Sequence, residues 1–134
     1  MKIYIAARYD RRAEMAVVAG FLRAHGHQIT SRWLDESHAM LDDEVAAMVD
    51  LADLEGADCL VSFTETPVER APWAARGARH VEFGVALKSG KRLVVCGPRE
   101  NIFHHLVKVE VVRNEDELVA LLKRPIVSPT PGEL

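Results

Sequence analysis

Long hydrophobic runs are missing from this chain: across its 134 residues, uninterrupted apolar stretches reach four or five positions. A bilayer-spanning helix needs ~20, so no membrane partner is expected. The first twenty residues mix apolar positions with Arg8, Asp10, Arg11 and Arg12, and no signal peptide is expected. Cysteine is scarce. Cys59 and Cys96 each lie inside an apolar run and are expected as buried thiols of a cytosolic protein, not as staples. An excess of positive charge is lacking too. Lys and Arg number 17 against 20 Asp and Glu, leaving −3 and no basic field for duplex nucleic acid.

Other absences remove whole chemistries. The turn after the first strand candidate reads Ala7-Arg8-Tyr9-Asp10 without glycine, so neither a dinucleotide fingerprint nor a Walker loop is available. His25 with His27, and His104 with His105, lack the spacing of helical metal ligands, and no H-E-x-x-H or C-x-x-C occurs; no bound metal is expected. Ser62 lies in an apolar run with no G-x-S-x-G elbow around it.

What is present describes one ordinary globular domain, 49% hydrophobic and 28% charged. Its basic residues are skewed to 12 Arg over 5 Lys. The rigid guanidinium fork suits phosphate or carboxylate, although coding bias explains the same skew.

The segments alternate strand and helix. Lys2–Ala7 is β-prone, and Met15, Val18, Ala19 and Leu22 follow at helical spacing. Gly26 stops that helix. Gln28–Trp33 is a second strand candidate, and Leu41, Val45, Met48, Val49 and Ala52 mark one face of a second helix. Cys59–Phe63 reads as a buried strand, 64–78 as a long loop, 79–89 as a third helix and Arg92–Cys96 as another strand. Val107–Val112 is a fifth strand candidate, and Asn114 with Glu117 forms a capping-box pattern opening a last helix. Residues 1–124 make the domain. The Pro-rich tail 125–134 is expected to be poorly ordered.

This alternation implies a flavodoxin-like or Rossmann-like three-layer sandwich around a five-stranded, mostly parallel sheet. Ligands bind such sheets beyond the carboxyl ends of the strands. The segments expected there are 7–10, 33–38, 64–78 and 97–105.

Carboxylates are the informative residues. Glu82, in His80-Val81-Glu82-Phe83-Gly84, is expected in the first turn of the third helix, where the dipole would keep it ionised. The plain alternative is an acid that only complements that dipole. Gly84 suits a close approach by ligand or strand, or simple packing. Asp50 and Asp53 fall near the end of the second helix, where acids are disfavoured and another reason for them is needed. Asp58 reads as a turn residue bonding backbone amides. Two carboxylates converging at one end of a sheet would suit glycosidic chemistry, and spacing alone leaves their convergence open.

Asp50-Leu51, Asp58 eight residues after Asp50, then a strand, a loop and His80-Val81-Glu82-Phe83-Gly84-Val85-Ala86-Leu87 resemble the nucleoside 2-deoxyribosyltransferase superfamily. That superfamily includes the 2′-deoxynucleoside 5′-phosphate N-hydrolases, and the resemblance extends over roughly residues 2–122. It implies that Glu82 attacks C1′ of a nucleoside or nucleotide, giving a covalent glycosyl-enzyme. Asp50 would hold base or sugar and help protonate the departing base. Tyr9 would orient Glu82 or bond the sugar, with Arg8 beside it among the substrate-binding candidates. Trp33 would stack on the base, or else be a core-edge residue.

Arg76 stands where many transferases of the superfamily place a base-binding Asp. With Arg70 and Arg79 it puts a basic loop near the nucleophile, which suits a 5′-phosphate and puts base transfer in doubt. Surface arginines paired with Glu65 and Glu69 are the bland alternative. The stretch Gly97–His105 matches the region that superfamily members use at a subunit interface. Arg99, Asn101 and His104 are therefore candidates for substrate contacts in trans, with Phe103 buried at the contact in a homodimer or larger assembly. No metal or organic cofactor is implied.

A non-catalytic nucleotide-binding or sensing module on the same fold is the competing reading. Replacing Glu82 separates the two, since only an enzyme would lose turnover by orders of magnitude. Flavin binding is disfavoured because no hydroxyl-rich phosphate loop follows the first strand.

Overall fold

A computed structural model describes residues 1–66 and 77–124. The chain runs β1 (Lys2–Ala6), α1 (Arg12–Ala24), β2 (Gln28–Ile29), α2 (Asp43–Glu55), β3 (Cys59–Phe63), α3 (Ala78–Lys88), β4 (Arg92–Cys96), β5 (Val109–Val112) and α4 (Glu115–Leu122). Short 3-10 turns occupy Tyr9–Arg11, Arg32–Leu34, Glu36–Met40 and Ile102–His105. All strand pairs are parallel and the order is β2-β1-β3-β4-β5. This is the expected three-layer α/β sandwich. Right-handed crossovers put α1 on one face of the sheet and α2 with α3 on the other.

Local chemistry explains the element boundaries. The α1 stripe of Met15, Val18, Ala19 and Leu22 is buried. It ends in a Schellman arrangement, with Gly26 at φ +89° donating to Arg23 and His27 donating to Leu22. Asn114 caps α4 by accepting from the Glu117 amide at 2.9 Å. The Glu117 carboxylate reaches back to the Arg113 amide, one residue earlier than a standard capping box. Asp58 accepts from the Lys2 amide, the backbone role expected of it. Cys59 and Cys96 are free, buried thiols. No helix among the described residues is long and apolar enough to cross a membrane.

β2 is shorter than expected, ending at Ile29 instead of Trp33. The reason is a side-chain substitute for the strand. Ser31 Oγ accepts from the Ile5 amide at 3.1 Å, and Trp33 Nε1 donates to the Ile5 carbonyl at 2.7 Å. Both backbone groups of Ile5 are thereby satisfied, and the chain is free to turn. β5 likewise begins at Val109, leaving Val107 exposed.

The second helix departs most from expectation. It begins at Asp43, so Leu41 lies outside it. Val45, Met48 (62% exposed) and Leu51 face solvent, as does Ala52, whereas Asp53 and Leu54 are buried. The inward face carries Leu54 together with Asp53, and most of the expected apolar stripe is left outside.

Around the C-terminal sheet edge, three strands are tied together. Thr64 N bonds the Cys96 carbonyl, Thr64 Oγ1 donates to the Pro98 carbonyl at 2.6 Å, and Gly97 N bonds the Val112 carbonyl. The tail 125–134 and most of the loop after β3, residues 67–76, lie outside the described residues, so the expectations for Arg70 and Arg76 do too.

Candidate active site

The chain turns from β1 outward to β2, then returns across β1 to β3, so the strand order switches between β1 and β3. A cleft of ≈ 700 Å³ opens here, walled by residues 7–10 after β1, by His38, Ala39, Leu41, Asp43 and Ala46, and by Gly77, Ala78 and Arg79 at the start of α3. That is where parallel sheets of this kind hold ligands.

Beside it lies a pair of carboxylates. Tyr4, wholly buried in β1, donates its hydroxyl hydrogen to Glu82 Oε2 across the layer between sheet and α3. Glu82 occupies the second turn of α3, and no acid lies in its first turn. The expected dipole stabilisation therefore does not apply, because that effect fades beyond the first turn. Burial instead pushes the Glu82 carboxyl up to about 7, opposed by the Tyr4 hydrogen bond and reinforced by the Asp50 charge. A carboxyl balanced near neutrality can exist as nucleophile or acid. Tyr4 itself is held far above the ordinary phenol range by burial and by Glu82, so it stays a donor.

Asp50, on α2, carries the second carboxyl. His38 Nε2 lies 3.0 Å from Asp50 Oδ1. Burial raises the Asp50 carboxyl and His38 opposes that rise. Its neighbour Asp53 is engaged elsewhere, accepting from Arg32 N at 2.9 Å and Arg32 Nε at 2.8 Å. These partners supply the missing reason for acids at the end of α2.

The remaining candidates separate by position. Tyr9 is half-exposed on the cleft wall, its ring 6.2 Å from that of Trp33. The phenol on Glu82 is thus Tyr4's, a correction to the role expected of Tyr9. Trp33 is 5% exposed, held by its indole bond to Ile5, the core-edge alternative. Arg8 lines the cleft 3.7 Å from buried Glu65. Arg79 reaches the cleft from α3 but is buried, with Nη2 2.8 Å from Glu100.

Arg99 is exposed. Asn101 caps the 3-10 turn after β4, accepting from the Phe103 amide. His104 is fully buried against Phe83, accepting from the Glu100 amide, and burial lowers it to about 4. Within the single chain His104 is thus packed inside and is not among the residues that line the cleft. Phe103 is exposed. Gly84 has open space where a side chain would project.

The sequence carries no mark of Tyr4 and His38 as the partners of Glu82 and Asp50. Tyr4 sits in an apolar strand run, and only tertiary packing brings it to Glu82. His38 falls in a segment expected at the binding edge, yet a histidine 12 residues from its partner leaves no periodic signal. Among the described residues, no cluster of three His, Cys, Asp or Glu is arranged to hold a metal ion.

The fold is already known from solved structures. The chain superposes on the CMP N-glycosidase BcmB of Clostridium botulinum with a TM-score of 0.62, 17% sequence identity, and coverage of 92% of this chain and 98% of that one. No protein-family profile matches the sequence, and no curated protein does.

Proposed function

We propose that this protein breaks the N-glycosidic bond of a nucleoside 5′-monophosphate, with Glu82 as nucleophile. The observation that carries the reading is the buried Tyr4–Glu82 hydrogen bond next to a second carboxyl, Asp50, at the switch-point cleft. A fold shared with a CMP N-glycosidase supports it. The Glu82 carboxylate attacks C1′ and the C1′–N bond breaks. Its electron pair leaves with the base, which takes a proton from the Asp50 carboxyl. Water then adds to C1′ of the glycosyl ester, losing its proton to Asp50 and releasing Glu82. A second base in place of water would make the reaction a transfer.

Tyr9, half-exposed on the wall, is the aromatic available to stack on the base. Arg8 and Arg79 offer guanidinium groups at the cleft for the 5′-phosphate. Two apolar surfaces suit assembly into a homodimer: Val45, Met48 and Leu51 with Val81 (65% exposed) on α2 and α3, and Ile102, Phe103 and Leu106 after β4. In such a dimer Arg99 and Asn101 would serve the neighbour's cleft.

The test is incubation with the four common ribo- and deoxyribonucleoside 5′-monophosphates and their nucleosides, CMP first, with and without a free second base. Chromatography follows released base. Base release from monophosphates that disappears in Glu82→Ala is expected. Product from nucleosides alone would remove the phosphate argument, new nucleoside requiring the second base would make the protein a transferase, and no Glu82-dependent product would leave a binding module.

A further inference from the structure

We propose that His38 is a positioning residue for Asp50, its imidazole fixing the carboxyl in the orientation from which it meets the departing base. This rests on the proposed N-glycosidic reaction for its purpose, though the pair itself is a feature of the fold. Glu82 and Asp50 have different partners. Glu82 is bonded by Tyr4, whose proton is not given up; Asp50 is bonded by His38, a group able to donate or accept at Nε2. A carboxyl with two free rotations needs such a partner to present one oxygen reproducibly.

The surroundings make His38 the natural holder. It comes from the 3-10 turn Glu36–Met40 and lines the cleft, while its side chain is only 10% exposed. Among the described residues, Asp53, Arg32, Glu82, Tyr4 and His38 act on Asp50. Asp53 on the same helix is consumed by Arg32, whose guanidinium it orients. Glu82 from α3 and Tyr4 from β1 lie on the other side and engage each other. His38, a residue of the cleft wall, bonds the Asp50 carboxyl. Of the charges acting on Asp50, His38 and Arg32 favour its ionised form, while burial and Asp53 oppose it.

The test uses His38→Phe, which keeps bulk, and His38→Gln, whose amide nitrogen can stand in for Nε2. With CMP as probe, His38→Phe is expected to lower kcat about 10- to 100-fold with KM within about twofold. Its alkaline limb moves to higher pH, because Asp50 loses the partner that favours ionisation. His38→Gln is expected to recover most of kcat while the limb stays displaced. A raised KM with unchanged kcat, or an unmoved pH profile, overturns the proposal. A second readout needs no turnover: the Asp50 carboxyl titration, followed by carbon-13 NMR in the full chain. Its midpoint is expected to rise in His38→Phe, and an unmoved midpoint sinks the pair. Failure of the wild-type chain to release base from any substrate would sink the proposed reaction instead, with the titration still deciding whether His38 governs Asp50.

Discussion

Tyr4 and Glu82 are 78 residues apart in the chain and share one hydrogen bond across the layer between sheet and helix. Tyr4 lies in register with Leu60 of β3, deep in the sheet, so its ring is fixed by packing and its hydroxyl has one direction to point. The bond opposes the burial that raises Glu82. The phenol thus opposes burial in setting how much of Glu82 is ionised near neutral pH.

Removing that phenol has a signed consequence. In the proposed reaction Glu82 must be a carboxylate to attack, so activity is expected to rise with pH through a limb near 7, the value burial gives the group. Tyr4→Phe removes the interaction that lowers it, and the limb is expected to move up by about 1–2 pH units, from a charge-assisted bond of about 1.5–3 kcal/mol. The pH dependence of kcat/KM for base release checks this. A limb that stays in place would mean Tyr4 only packs.

Stability should answer to the same group. Glu82 sits at about 7 in the folded chain against 4.5 ordinarily, so folding favours its protonated form. That contribution is whole below about 4.5 and is lost as pH rises through about 7. Glu82→Gln cannot ionise and keeps an acceptor for Tyr4. It is expected to be more stable than wild type by about 2 kcal/mol at pH 8 and near-equal at pH 4. Urea unfolding at the two pH values measures the difference.

Legibility in the sequence followed the kind of information each feature needs. The alternation of strands and helices, the α1 stripe and the Asn114 cap are local patterns, and the sheet realises them. β2 was overestimated because Ser31 and Trp33 imitate a strand with side chains, which no period reveals. Helix α2 turns inward a different face from its expected stripe, with Leu54 buried and Asp50 and Asp53 bonded to His38 and Arg32, partners that no local period marks. Glu82 and Asp50 stood out through a resemblance, but Tyr4 and His38 are partners made by long-range packing and had no local mark.

Gly97 ties the binding edge of the sheet and tolerates no side chain. Its φ is +124°, and an added Cβ would stand 2.5 Å from Thr64 Oγ1, an atom already committed to the Pro98 carbonyl. Gly97→Ala is expected to cost on the order of 2–4 kcal/mol. Adding Thr64→Ala relieves the contact but not the backbone strain, so the double variant should recover only part of the loss. Full recovery, seen in thermal or urea unfolding, would mean the strain is negligible.

Arg79 and Glu100 form a buried ionic contact near the cleft, 2.8 Å apart with side chains 4% and 3% exposed. Both side chains are almost wholly out of water, so removing one charge leaves the other with weaker partners at low dielectric, among them His80 Nε2, 3.1 Å from Arg79. Glu100→Gln is expected to destabilise the fold by about 3–5 kcal/mol. Replacing both, as Arg79→Met with Glu100→Leu, removes the stranded charge along with the pair and should restore most of that loss. The comparison is urea unfolding at equal slope. A double variant no more stable than Glu100→Gln alone would show that the cost lies in packing at the start of α3, and that Arg79 is held there by shape and not by its charge.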